Sequence, residues 1–254
     1  MSDDSVYSKG LIYEARPTAA SDDEWRGHRQ TRYNELFAQI IGDWRSQRAR
    51  EGSYFFAHNA TNDAATTIAG HAAPVLADAD ATMTKPLIHL AMASNATTLA
   101  ELDFIEIEVV TAGATATQAC WAAQLDTGAT RITTAGTALT TVNPNMQSNA
   151  TSSLSPTAGA IVVGAESASV RHLAHGTHRP SIEVAGDKYM FVFGADTASA
   201  GTQGATAAAS VRTFVTALPP VILGASDAFL LALHGQAAQN AAGIYKIRMG
   251  WSDR

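Results

Sequence analysis

The residues in this chain best suited to chemistry are three histidines, His172, His175 and His178, set three apart in Arg-His-Leu-Ala-His-Gly-Thr-His-Arg-Pro. Three imidazoles gathered by a turn could hold zinc as a catalytic site does, leaving a fourth position for water or substrate. On an extended strand, successive side chains point to opposite faces, so this spacing splits the set. No Cys, Asp or Glu stands close by in sequence, and the spacing matches no metal-ligand motif. The expectation is a strand end with turn histidines, no metal and no cofactor.

Glu106 and Glu108 could set two carboxylates side by side on one strand face, as glycoside hydrolysis requires. They alternate with Ile105, Ile107 and Val109, so a polar row on the solvent face of a one-sided sheet accounts for them. Cys120, the single cysteine, lies between Ala119 and Trp121 and reads as a small buried hydrophobe, not as a nucleophile. Asn59, Asn95 and Asn149 each open an Asn-Ala-Thr triplet. Without a secretory signal these acceptor patterns are by-products of an Asn-, Ala- and Thr-rich chain. There is no Gly-x-Ser-x-Gly elbow, phosphate loop or dinucleotide fingerprint. The expectation is a protein that is not an enzyme.

The elements that must carry these residues begin with the stretch 214–251. It reads as a strand entering Pro219-Pro220, an apolar strand over 229–233 and an alternating strand over 245–251. In the last, Tyr245, Ile247, Met249 and Trp251 share one face while Lys246 and Arg248 share the other. Further strands are expected over 87–91, 104–110, 120–125, 138–142, 161–163, 170–175, 182–184, 189–193 and 211–216. Many short strands without intervening helices predict a mainly β body, an antiparallel sandwich or jelly roll. Gly186-Asp187 suits a tight connection between strands. The polar stretches 112–118, 143–159 and 195–209 read as loops or thin edge strands, with partner contact as the reason for their length.

One helix is predicted, in an N-terminal arm. After an extended start, Ser21 and Glu24 form a capping box, and the helix stops near Gly52. Tyr33, Leu36, Phe37, Ile40, Ile41 and Trp44 recur at helical spacing on one stripe, which a groove on a neighbouring subunit would receive. Arg26, Arg29, Arg32, Arg45, Arg48 and Arg50 lie on other faces, among Asp22, Asp23, Glu24, Glu35, Asp43 and Glu51. That face is either solvated or docks electrostatically on an acidic protein surface. The organisation expected is an arm and helix over 1–52 and a sandwich body over 53–254.

Composition bounds the partners. Only 16% of the 254 residues are charged, and a surface so poor in charge can lie against other protein without desolvating many ions. The net charge of -6 argues against a general nucleic-acid binder. The acidic start Met-Ser-Asp-Asp-Ser lacks the apolar core of a signal peptide, and no run approaches the roughly 18 apolar residues of a membrane helix. A protein made in a cytoplasm, with no membrane partner, is expected.

A helical arm followed by Ile68-Ala-Gly-His-Ala-Ala-Pro74, Thr84-Lys-Pro-Leu-Ile-His-Leu-Ala91, Asp103-Phe-Ile-Glu-Ile, Asn143-Pro-Asn-Met146, Leu218-Pro-Pro-Val-Ile-Leu-Gly224 and a closing Met-Gly-Trp-Ser-Asp-Arg resembles virion structural proteins of tailed bacteriophages. The closest class is the capsid decoration, or cement, type. That resemblance implies a jelly-roll-like body on the capsid surface, bound to the major capsid protein. It also implies a homo-oligomer, dimer or trimer, with arms reaching across neighbouring subunits and no catalytic residues. Other roles on the same body would be a head-fibre base, a tail protein or a receptor-binding sandwich. A metal-dependent enzyme would have to use the histidines, and the long loops hold almost no aromatic residues for carbohydrate.

Overall fold

A computed structural model of the protein describes residues 44–59, 68–69, 85–113, 119–127, 131–165, 170–179, 183–194, 212–235 and 243–254. The chain divides into two compact units, Met1–Glu51 and Gly52–Arg254. In the first, the described part is helix α1, Trp44–Glu51. It ends where the sequence predicts, because Gly52 takes φ +74°, the left-handed conformation that closes helices and that residues with a Cβ rarely adopt. Residues 21–43 of the expected helix lie outside the described residues.

The second unit is a β-sandwich. In chain order its strands are β1 (Tyr54–His58), β2 (Ile68–Ala69), β3 (Ile88–Met92), β4 (Ala100–Thr111), β5 (Ala119–Thr127), β6 (Ile132–Thr134), β7 (Thr137–Ala138), β8 (Thr140–Val142), β9 (Leu154–Ala158), β10 (Val162–Val163), β11 (Arg171–Arg179), β12 (Lys188–Phe193), β13 (Thr213–Leu218), β14 (Ile222–Leu223), β15 (Asp227–Gly235) and β16 (Ile244–Asp253). The larger sheet runs β13-β12-β4-β16-β1-β8, with β14 added to β4 and β2 to β16. The smaller runs β11-β5-β15-β3-β9-β7, and β6 with β10 forms a separate two-stranded ribbon. Pairing is antiparallel throughout except between β12 and β13, which are parallel.

Alternation along the strands builds the core. Ile105, Ile107 and Val109 of β4, Tyr189 and Phe191 of β12, and Ile247, Met249 and Trp251 of β16 enter one buried cluster with Ile88 and Leu90 of β3, Trp121 of β5, and Phe229 and Leu231 of β15. Both sheets thus bury one face against the other, as sandwich packing requires. The ribbon makes a second, smaller core, in which Ile161 and Val163 cover Ala122, Leu230 and Ala232 on the other face of the smaller sheet.

Several strands differ from expectation. Residues 183–184 are not a strand: Asp187 takes both backbone groups of Val184, donating its N–H to the carbonyl and accepting the amide at its carboxylate, so the segment turns instead of pairing. The strand at 213–218 ends at Pro219-Pro220, which offer no N–H to a ladder. Within the polar stretch 143–159, β9 pairs with β3 on one side and β7 on the other, burying Leu154, Pro156 and Ala158. Cys120 is buried, as its neighbours imply.

Candidate functional site

The outward face of the larger sheet has an organisation set by register. Phe104 of β4 pairs with Gly250 of β16 and with Val192 of β12, and Phe56 of β1 pairs with Gly250 and with Val142 of β8. An apolar row therefore crosses the sheet with a glycine at its centre. The next row holds Met190, Glu106, Arg248, His58 and Thr140, and the one after it Lys188, Glu108 and Lys246. Side chains alternate across a pleated sheet, so these three rows share one face.

The rings of the apolar row are held from several sides. Phe56 and Phe104 meet edge to face with centroids 6.1 Å apart, and Tyr54 meets Phe56 likewise at 5.0 Å. Tyr54 is fixed in turn by its hydroxyl, which donates to Asp103 Oδ2 at 2.5 Å. A Cβ at Gly250 would stand 2.6 Å from the Tyr54 hydroxyl and 2.7 Å from Phe104, so the rings can sit this low only over glycine.

The charged rows pair internally. Arg248 Nη2 donates to Glu106 Oε2 at 2.9 Å, and Lys188 and Lys246 reach Glu108 at 3.3 and 3.4 Å. The hydrogen bond to Glu106 holds the Arg248 pKa above its usual value. Apolar and charged rows together border an open concavity of about 410 Å³. Three cations, Lys188, Lys246 and Arg248, thus lie against the two carboxylates.

The structure separates the three histidines. Register shifts in β11, between His172 and Ala174 and between Thr177 and Arg179, reset the alternation. His178 turns into the core, stacked on Tyr189 at 4.7 Å and on Trp121 and Phe214 at 5.7 Å, with Nε2 2.9 Å from Thr216 Oγ1. His172 is exposed on the other side, its Nε2 3.4 Å from Gln124 Nε2, and His175 is exposed opposite Ala122. Among the described residues, no three His, Cys, Asp or Glu side chains are arranged to hold a metal.

Beneath the ribbon lies a buried polar group that residue patterns do not announce. Arg131 forms an ion pair with Asp126 and donates to Gln124 Oε1 and to the Gly164 carbonyl, both at 3.2 Å. His89 lies nearby, its pKa lowered to about 4 mainly by burial.

Tyr33, Leu36, Phe37, Ile40, Ile41, Arg26, Arg29 and Arg32 lie outside the described residues. Trp44, Arg45 and Arg48 are on α1, where Arg45 lies over the Trp44 ring at 5.2 Å and Arg48 pairs with Glu51 at 3.3 Å. Asn59, one of the three acceptor patterns, is buried and structural: it donates to the Tyr245 carbonyl at 3.0 Å and accepts from the Ile247 amide at 2.8 Å. Sequence reading placed Glu106 and Glu108 on an outer face but missed the aromatic row, because its rings lie on strands and not in loops.

Fold and site define a β-sandwich with an apolar and charge-lined outer face. No family model, curated protein or solved structure matches this chain.

Proposed function

We propose that this is a non-enzymatic structural protein of a tailed-phage virion that binds the outside of the capsid and bridges its subunits. The observation that supports this reading best is the division at Glu51/Gly52 into a short N-terminal unit and a body with a core of its own. The short unit includes the apolar stripe and serves as the arm that engages the major capsid protein; the body sits outside the shell as a dimer or trimer. A clamp of this kind holds with ordinary interface area, on the order of 1,600 Å², and many copies on a symmetric lattice add avidity. Three of the ionisable candidates of the body are engaged structurally, Glu106 and Glu108 in ion pairs and His178 in the core, which favours binding over catalysis.

The test is co-sedimentation of the full chain with capsids stripped of it, alongside the double variant Leu36→Asp, Ile40→Asp. Saturable binding at a fixed ratio to the major capsid protein, lost in the double variant, is expected; equal binding by both overturns the role of the arm. A second reading, a receptor-binding sandwich elsewhere on the virion, is favoured by the aromatic row, and absence of any capsid binding would select it.

A further inference from the structure

We infer that the outer face of the larger sheet is a saccharide-binding site, in which a pyranose ring lies on the Phe56–Phe104 row and its hydroxyls reach Glu106, Arg248 and Glu108. This inference is independent of the capsid reading.

The apolar half of the site is built before any ligand arrives. Glycine at position 250 lets the Tyr54 hydroxyl and the Phe104 ring close down on the backbone between the two phenylalanines, and the anchored Tyr54 ring backs Phe56. Both phenylalanines are half-buried, so each presents a fixed portion of ring and little conformational entropy is lost when something covers it. The C–H face of a sugar ring is an apolar surface of this kind, and aromatic rings are the side chains that match it in area.

The polar half selects among ligands. Glu106 and Glu108 carry two negative charges against three positive ones on Lys188, Lys246 and Arg248, at separations of 2.9 to 4.0 Å. A small anion would have to pull a cation from a carboxylate, and a metal ion would have to pull a carboxylate from two cations. A hydroxyl group needs neither exchange, because it donates to a carboxylate lone pair and accepts from an ammonium or guanidinium N–H at once. Vicinal hydroxyls therefore suit a row in which acceptors and donors alternate and are already held by one another. Arg248, 62% exposed at its side chain, has N–H groups turned to solvent. The concavity, about 410 Å³, falls within the range of small-ligand clefts.

The test is isothermal titration of the full chain with four probes of defined structure: maltotriose, chitotriose, lactose and 3′-sialyllactose. Saturable one-site binding of at least one is expected, weakened about tenfold or more by Phe104→Ala. Arg248→Met, at an exposed position, gives a second variant with the fold intact, and it should weaken the same probe. The inference is overturned if the full chain binds none of the four, or if both variants bind as the parent does. It is also overturned if the variants lose capsid co-sedimentation and the parent binds no probe, since the face is then a protein interface. Capsid binding unchanged in variants that lose saccharide separates this site from the arm.

Discussion

The imidazole of His178 lies flat on the phenol of Tyr189, ring centroids 4.7 Å apart and planes 13° from parallel. Burial lowers its pKa to about 3, and burial is also the largest cause of the fall to about 4 at His89. Both folded-state values lie below the ordinary 6.5, so the unfolded chain binds more protons as pH falls. The stability these groups confer is complete above about pH 6.5 and is lost as pH drops toward 4 and then 3. Each should contribute a slope approaching about 1.4 kcal/mol per pH unit in that window. Asp253 acts in the opposite sense, because burial raises its pKa and folding then favours its protonated form. Urea unfolding from pH 7 to 4 measures the net slope, and His178→Phe, which keeps a ring in the stack, should flatten it. An unchanged slope in that variant would exclude His178 as its source.

Gly250→Ala tests the dip in the aromatic row. The new methyl would meet the Tyr54 hydroxyl, tied to Asp103, and the Phe104 ring, so neither can yield freely. A loss of about 1–3 kcal/mol is expected from the overpacking, together with loss of whatever binding the concavity supports. Denaturant midpoints of the parent and Gly250→Ala give the first quantity.

The Asp126–Arg131 pair under the ribbon should behave asymmetrically. Asp126 is 4% exposed, so Arg131→Ala leaves a buried carboxylate without its cation, at a cost of about 3–5 kcal/mol. Replacing both, as Asp126→Leu with Arg131→Met, should recover most of that loss. A double variant no more stable than Arg131→Ala would show that the hydrogen bonds to Gln124 and Gly164, not the charge pairing, set the cost.

Asp187 fastens the turn before β12 to the entry of β13. Its carboxylate accepts from the Val184 amide at 2.8 Å and the Arg212 amide at 2.9 Å while fully buried. Asp187→Ala should cost about 3 kcal/mol or more, because both amides lose a charged acceptor. Hydrogen exchange should show the added opening at β12 and β13 first; uniform loss of protection across the sandwich would place the effect elsewhere.

How much of this could be read from residues alone follows the range of the interactions. The faces of β16 were legible because Tyr245, Ile247, Met249 and Trp251 alternate with Lys246 and Arg248, and the common face of Phe104, Glu106 and Glu108 follows from the same period. Gly250 as the centre of the aromatic row was not, since its neighbours Phe56 and Phe104 come from strands remote in sequence and nothing local fixes that register. The opposed directions of His172 and His178 depend on irregularities in β11 that a strict period of two cannot supply. Strand β9 was hidden by Ser-Pro-Thr, which reads as a turn until the pairing with β3 and β7 is known. Asn59 resembled a modification site because a triplet carries no information about the two backbone groups it satisfies.

Strand β16 lies between β4 on one edge and β1 and β2 on the other, yet it follows both in the chain. During synthesis, β1 and β4 are therefore made long before the strand that joins them; β1 can pair with β8 and β4 with β12 and β14 meanwhile, but the edge each offers to β16 waits unpaired until residues 244–253 are added. The two parts of the larger sheet, β13-β12-β4 and β1-β8, can therefore be joined only in a late step, once β16 is available. A nascent chain stalled short of that point carries two sticky strand edges, which makes it a natural client for holding chaperones.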